Sequence, residues 1–184
     1  MNFCPQCGQA LQQREIDGHG RDCCLADGCG FIAWNNPTPV IAVLVEYQGK
    51  VLLARNAAWN AGMFSVITGY LEAGETPEEC ALRELGEELG LTGSVISTIG
   101  HYAFPQKNQL ILAFHVLAEG EIKLNEELAE FRLVAKEKLK PWNFGTGLAV
   151  RDWLLQQGLP AGFLQFPPPT LAAIETEPSN GHGV

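Results

Sequence analysis

No stretch of this 184-residue chain approaches the ~20 consecutive apolar residues of a membrane span, so no transmembrane helix is expected. The start, Met1-Asn2-Phe3-Cys4, lacks a basic segment followed by an apolar run. A secretory signal is therefore not expected, and a cytoplasmic location is. Basic side chains are scarce: 12 Lys and Arg stand against 21 Asp and Glu, a net charge of −9. A protein that holds nucleic acid by charge alone needs clustered Lys and Arg, so nucleic acid is not an expected partner. Anionic small substrates stay open, because bound metal ions can supply positive charge locally.

Large apolar residues are also few in residues 1–33, which cannot bury much of a core unaided. Cysteine is abundant there instead: five of the six, at 4, 7, 23, 24 and 29, precede residue 30. Without a secretory signal, such clustering favours metal over disulfides. Cys4-Pro5-Gln6-Cys7 is a turn that brings two thiolates onto one ion. Cys24 and Cys29 supply the other pair of a tetrahedral Zn²⁺ site. Cys23 competes with Cys24, and His19 is an outside candidate; the shorter spacing to Cys29 favours Cys24. The arrangement resembles a zinc ribbon, a closed structural site with no catalytic part. Cys80 stands apart and is expected to be an inert core thiol.

Asn35-Asn36-Pro37-Thr38-Pro39 reads as a linker or turn. Beyond it, residues 40–47 and 51–54 form a hairpin signal around Gln48-Gly49-Lys50. Residues 56–62 read as a loop and 63–68 as a short strand. Further strands are expected over 95–103, 110–117 and 131–135. Residues 125–130 read as a short helix or loop. A last helix is expected over 146–157, with Leu148, Val150, Trp153 and Leu154 toward the core. Residues 161–184, with Pro167-Pro168-Pro169, are expected to be a flexible tail.

Thr76-Pro77-Glu78-Glu79 is a capping box with proline at the first helical position, opening a helix that Gly90 stops. Within it Glu84, Glu87 and Glu88 stand at i, i+3 and i+4 and share one face. Leu82, Leu85 and Leu89 are expected on another face, against a sheet. A charge run of this kind is usually a solvated surface. Here a glycine-bounded loop, 69–74, precedes the helix, and Arg83 is placed to steady a neighbouring acid. Together these suit hard divalent ions such as Mg²⁺ or Mn²⁺, which take oxygen ligands and bridge phosphates.

Gly69, five residues, Glu75, seven residues, then Arg83-Glu84-Leu85-Gly86-Glu87-Glu88-Leu89-Gly90-Leu91 resembles the Nudix box at every defined position. The resemblance implies an α/β fold, an α/β/α sandwich with a mixed sheet over residues 36–160, preceded by a zinc ribbon over 1–35. It implies a Mg²⁺- or Mn²⁺-dependent hydrolase of a nucleoside diphosphate linked to another group. Carried over by position, Glu84 and Glu88 are the principal metal ligands, and Glu87 is a ligand or a general base. The carbonyl of Thr68 is a further possible ligand, and Glu75 and Arg83 are an orienting pair. Glu127 resembles the extra acid that ribbon-bearing NADH pyrophosphatases provide from outside the box; a solvated turn is the alternative.

The substrate is less defined. Those enzymes carry Ser-Gln-Pro-Trp-Pro-Phe-Pro-x-Ser after the box, and residues 99–107 keep only Phe104-Pro105, with Tyr102 in place of the tryptophan. NADH, ADP-ribose and FAD all stay open. Tyr102 and Phe104 could stack on a base or be core aromatics, Gln109 could be a polar contact, and Trp59 could be a lid or a packed anchor. His101 and His115 are expected to be structural. Two other readings compete: a nucleotide sensor that binds without cleaving, and a hydrolase of dinucleotide-capped RNA. Analogy alone points to a homodimer.

Overall fold

Two adjacent residues with positive φ, Asp17 at 51° and Gly18 at 75°, turn the cysteine-rich segment back on itself. That backbone matches the twist of a two-residue hairpin. It joins β1 (Leu11–Ile16) to β2 (His19–Cys24), and β3 (Ile32–Ala33) pairs antiparallel with β2. These strands belong to the first of two compact units, Met1–Pro37; the second begins at Thr38. The computed structural model describes residues 1–164, so Pro167-Pro168-Pro169 and most of the expected tail lie outside the described residues.

The second unit is built on β4 (Thr38–Tyr47), β5 (Lys50–Asn56), β6 (Ile67–Tyr70), β7 (Thr92–Phe104), β8 (Gln109–Glu119) and β9 (Leu128–Ala135). The sheet runs in the order β7-β8-β4-β5-β9, with β6 paired to β4. The β4–β8 pair is parallel and every other pair is antiparallel, so the sheet is mixed. The hairpin between β4 and β5 turns on Gln48 and Gly49, again both at positive φ.

Alternation along β4 sends Ile41, Val43 and Val45 to one face and Ala42 and Leu44 to the other. The first face packs against Cys80, Ala81, Leu85 and Leu89 of α1 (Pro77–Leu89). The second packs against Ala149, Val150, Trp153 and Leu154 of α2 (Gly147–Gln156). The result is an α/β/α sandwich.

Two local expectations are corrected. Leu82 does not pack on the sheet and is 37% exposed. The buried arc of α1 is rotated from Leu82 toward Ala81, Glu84 and Glu88, because two carboxylates turn inward with the leucines. Residues 125–130 form no helix: they make a turn and then enter β9 at Leu128. At the end of the described residues, Leu164 N–H donates to the Pro141 carbonyl at 2.7 Å.

Candidate active site and cysteine cluster

The capping box forms: Glu79 N–H donates to Thr76 Oγ1 at 3.3 Å, and Thr76 N–H donates to Glu79 Oε2 at 2.7 Å. That fixes where α1 begins, and hence which residues of its later turns reach the end of β6. Gly69, on β6, lies directly beneath Glu84. A Cβ at position 69 would sit 1.9 Å from Glu84 Cδ, so only glycine leaves room for that carboxylate. Thr68, the expected carbonyl ligand, precedes it and pairs with Ala42 on β4.

Arg83 organises the acids. Its Nε and one terminal nitrogen donate to the two oxygens of Glu75, at 3.0 and 2.8 Å. The other terminal nitrogen donates to Glu84 Oε1 at 2.8 Å and to Glu87 Oε2 at 3.0 Å. The Tyr70 carbonyl accepts from Arg83 at 3.1 Å, which ties the end of β6 into the same network. The guanidinium holds the Glu75 carboxyl down at about 2. A planar fork that serves three carboxylates and a carbonyl at once is a role lysine could not fill.

The acids differ sharply in setting. Glu84 and Glu88 are each only 8% exposed, whereas Glu87 faces solvent. Burial raises the Glu84 carboxyl, with Arg83 pulling the other way. Burial also pushes Glu88 up to about 8, and the charges of Glu84, Glu127 and Glu87 add to it. Among the described residues no hydrogen bond reaches the Glu88 carboxyl. The charge of Glu127 pushes both buried acids upward. Its segment is fastened to α1: Asn125 N–H donates to the Glu88 carbonyl at 3.1 Å and Lys123 N–H to the Leu89 carbonyl at 2.8 Å. Among the described residues only the cysteines bring three or more ligand atoms within 4.8 Å of one another, so these carboxylates stand apart, with the charges of Glu84, Glu127 and Glu87 acting on the partnerless Glu88. That donor set, all oxygen and under mutual repulsion, fits a hard divalent cation.

The loop carrying Trp59 is held against the same rim. Ala57 N–H donates to the Glu127 carbonyl at 2.7 Å, and Arg55 bridges Glu130 Oε1 at 2.7 Å and the Trp59 carbonyl at 3.0 Å. Trp59 is 40% exposed. Tyr102 and Phe104 lie on the α2 side of the sheet, across from Glu84 and Glu88. The Tyr102 hydroxyl donates to Asp152 Oδ2 on α2 at 2.9 Å. Gln109 reaches the rim, donating from Nε2 to the Tyr70 hydroxyl at 3.3 Å. Tyr70 itself escaped the sequence reading, although it adjoins Gly69; its ring is 61% exposed and is anchored at its carbonyl and its hydroxyl. His115 Nε2 lies 3.0 Å from Glu46 Oε2, an internal contact far from these acids in the sheet register.

In the first unit, the sulfurs of Cys4, Cys7, Cys24 and Cys29 all lie within 4.8 Å of one another. Cys4 Sγ is 3.6 Å from Cys29 Sγ, and Cys7 Sγ is 3.4 Å from Cys24 Sγ. Tetrahedral zinc with Zn–S bonds of about 2.3 Å needs sulfurs about 3.8 Å apart, so the cluster has the right size. Cys23 is outside it, its thiol aimed at the Arg21 carbonyl at 3.5 Å. Cys80 is buried, and burial pushes its thiol up to about 12, as an inert core position requires.

The family model described as NUDIX domain matches residues 35–164. The chain is 34% identical over 129 residues to the NAD-capped RNA hydrolase NudC of Pseudomonas aeruginosa strain LESB58, covering 70% of this chain and 45% of that protein. It is 33% identical over 145 residues to the protein of the same name from Vibrio vulnificus, covering 77% of this chain and 53% of that one. The chain thus spans about half the length of the curated relatives it matches. The crystal structure of a NUDIX hydrolase from Nitrosomonas europaea superposes with a TM-score of 0.70 at 26% identity, covering 88% of this chain and 96% of that one.

Proposed function

Because the chain belongs to the NUDIX domain family, we propose that it is a Mg²⁺- or Mn²⁺-dependent pyrophosphohydrolase of a dinucleotide such as NADH, ADP-ribose or FAD. The observation that carries this reading is the partnerless, buried Glu88 carboxyl, with the charges of Glu84 and Glu127 acting on it. Acids forced together in this way are stabilised by a doubly charged cation and by little else. Glu84, Glu88 and Glu127 would hold the metal, with Glu87 or a backbone carbonyl of the Thr68–Gly69 segment completing it. A bound divalent ion neutralises diphosphate oxygens and acidifies water.

The remaining work falls to the chain's own side chains. Arg83 holds Glu75, Glu84 and Glu87 in fixed relation, so the acids need no reorganisation when substrate arrives. Glu87 or Glu127 takes the proton of the attacking water; both flank the buried pair, and Gln at each position separates them by the pH profile that survives. Trp59 and Tyr70 offer exposed aromatic faces at the rim, suited to a base. Tyr102 and Phe104 serve the packing of α2. The ribbon, expected over residues 1–35 and lying within the first unit Met1–Pro37, holds one structural Zn²⁺ at Cys4, Cys7, Cys24 and Cys29.

The test is a panel of NADH, NAD, ADP-ribose, FAD and dinucleoside polyphosphates with Mg²⁺ and Mn²⁺, read by product identity. Cleavage within the diphosphate, yielding a nucleoside monophosphate, is expected for at least one member. Absence of turnover on every member, with the dinucleotides still bound, would establish the sensor reading instead. A second reading, cleavage of dinucleotide-capped RNA, is favoured by the activity that the names of the NudC relatives state for those proteins.

A further inference from the structure

Strand β9 carries one residue more than its partner can pair. Arg55 of β5 lies opposite Glu130 and Asn56 opposite Leu128, so Ala129 is left over as a β-bulge. In a regular strand, residues two apart share a face. Val134 packs on the α2 side, and alternation puts Arg132, over the Phe64 ring, and Glu130 there as well. Leu128 should follow them, yet it packs on the α1 side. On β5, alternation from Val51 and Leu53 places Arg55 on the α2 side, facing Glu130. The bulge thus turns the chain over at the step that leads back to Glu127. Bulges serve in this way to re-aim side chains.

The extra residue also breaks the ladder locally, so the backbone beyond it needs other fixings. Ala57 N–H supplies one, donating to the Glu127 carbonyl at 2.7 Å. A tight loop presents that amide: Ala58 N–H donates to Asn56 Oδ1 at 2.9 Å, and Trp59 N–H to the Asn56 carbonyl at 3.0 Å. Arg55 closes the arrangement. Its Nε donates to Glu130 Oε1 at 2.7 Å and a terminal nitrogen to the Trp59 carbonyl at 3.0 Å. One guanidinium therefore holds β9 on one side of the bulge and, on the other, the loop that grips Glu127. An exposed ion pair would do little. The Arg55 side chain is only 17% exposed, and its rigid fork serves two partners in different directions. Among the described residues it makes no hydrogen bond to Glu84 or Glu88, which α1 brings to the other face of the sheet. Its influence on the acids must pass through Glu127.

We propose that Arg55 is a positioning residue for Glu127: by clamping Glu130 and the Trp59 loop across the bulge, it fixes where Glu127 stands relative to Glu88. The proposal rests on the metal-dependent diphosphatase reading for what Glu127 does there, and on the bulge geometry alone for how it is held.

The experiment uses the full chain and compares wild type, Arg55→Met, Arg55→Lys, Glu127→Gln and the double variant Arg55→Met/Glu127→Gln. Hydrogen exchange tests the clamp without any cleavage. The Ala57 amide should exchange at least about 10-fold faster in Arg55→Met, while the amide of Leu85 in α1 keeps its wild-type rate. Mn²⁺ affinity, followed by water relaxation, and kcat should each fall about 10-fold in Arg55→Met, the size of effect usual for a group that orients a metal ligand. Arg55→Lys keeps one partner of the two and should recover part of the loss. In the Glu127→Gln background, Arg55→Met should cost less than about a further 2-fold, because the group it positions is already gone. A merely structural role predicts full additivity, and additivity overturns the proposal. So does an Ala57 amide that exchanges at the wild-type rate. Undiminished Mn²⁺ affinity in Glu127→Gln would overturn the proposal together with the ligand role of Glu127. The diphosphatase reading falls separately, on the absence of all dinucleotide cleavage by wild type.

Discussion

Gly69 and Glu84 occupy one space between them: the carboxylate of the helix residue fills the volume where any other residue of the strand would place its Cβ. Alanine at 69 would bring Cβ within 1.9 Å of Glu84 Cδ and must push the acid aside. Gly69→Ala is expected to lower metal-dependent turnover at least about 100-fold, since misplacing a reacting group by ~1 Å costs that much. Circular dichroism should be unchanged, and Mn²⁺ affinity, followed by its paramagnetic relaxation of water, should fall with the activity.

Arg83 makes a demand of a different kind, because its fork serves Glu75, Glu84 and Glu87 together. Arg83→Lys keeps the charge and loses the geometry. We expect kcat to fall about 10- to 100-fold with little change in KM, the pattern of a group that positions acids and does not bind substrate. A rise in KM alone would contradict this role.

Glu88→Gln should abolish most turnover, by about 10³-fold, while stabilising the metal-free protein. The sign follows from linkage. The folded-state pKa is raised to about 8, above the ordinary 4.5, so the folded protein binds more protons than the unfolded chain across that window. Metal-free stability must therefore fall as pH rises from about 5 to 8. Melting curves in EDTA at those two pH values should differ by several degrees in wild type, and by much less in Glu88→Gln. Adding Mg²⁺ should restore the wild type at the higher pH.

One zinc per chain is expected in freshly purified protein. Cys24→Ser should lose it and Cys23→Ser should keep it, because only Cys24 belongs to the four-sulfur cluster. Elemental analysis of the two variants decides this directly. Zinc in the Cys24→Ser variant and none in Cys23→Ser would reverse the assignment.

Much of this was legible from residue order. The capping box, the Gln48-Gly49 turn and the two-sided alternation of β4 are short-range signals, each decided by neighbours a few residues apart. The Asp17-Gly18 turn carries the same signal, in a segment with few of the apolar residues that mark strands. Leu82 faces away from the core because helical spacing gives relative angles, not the direction of the core. That direction is set by Glu84 and Glu88, whose inward turn no periodicity of apolar residues reveals. Gly69 and Tyr70 depend on what α1 lays over β6, a long-range contact.

The last carbonyls of α1 are answered from outside the helix, by the amides of Lys123 and Asn125, in the segment that leads to Glu127. The 23-residue box is consequently not a self-sufficient module. If the end of α1 frays, Glu127 is released from its register with Glu88 at the same moment. The amides of Lys123 and Asn125 and those of the final turn of α1 should therefore exchange with solvent hydrogen as one cooperative group. A chain that presents the box without this later segment would contain the motif in full and still lack the site.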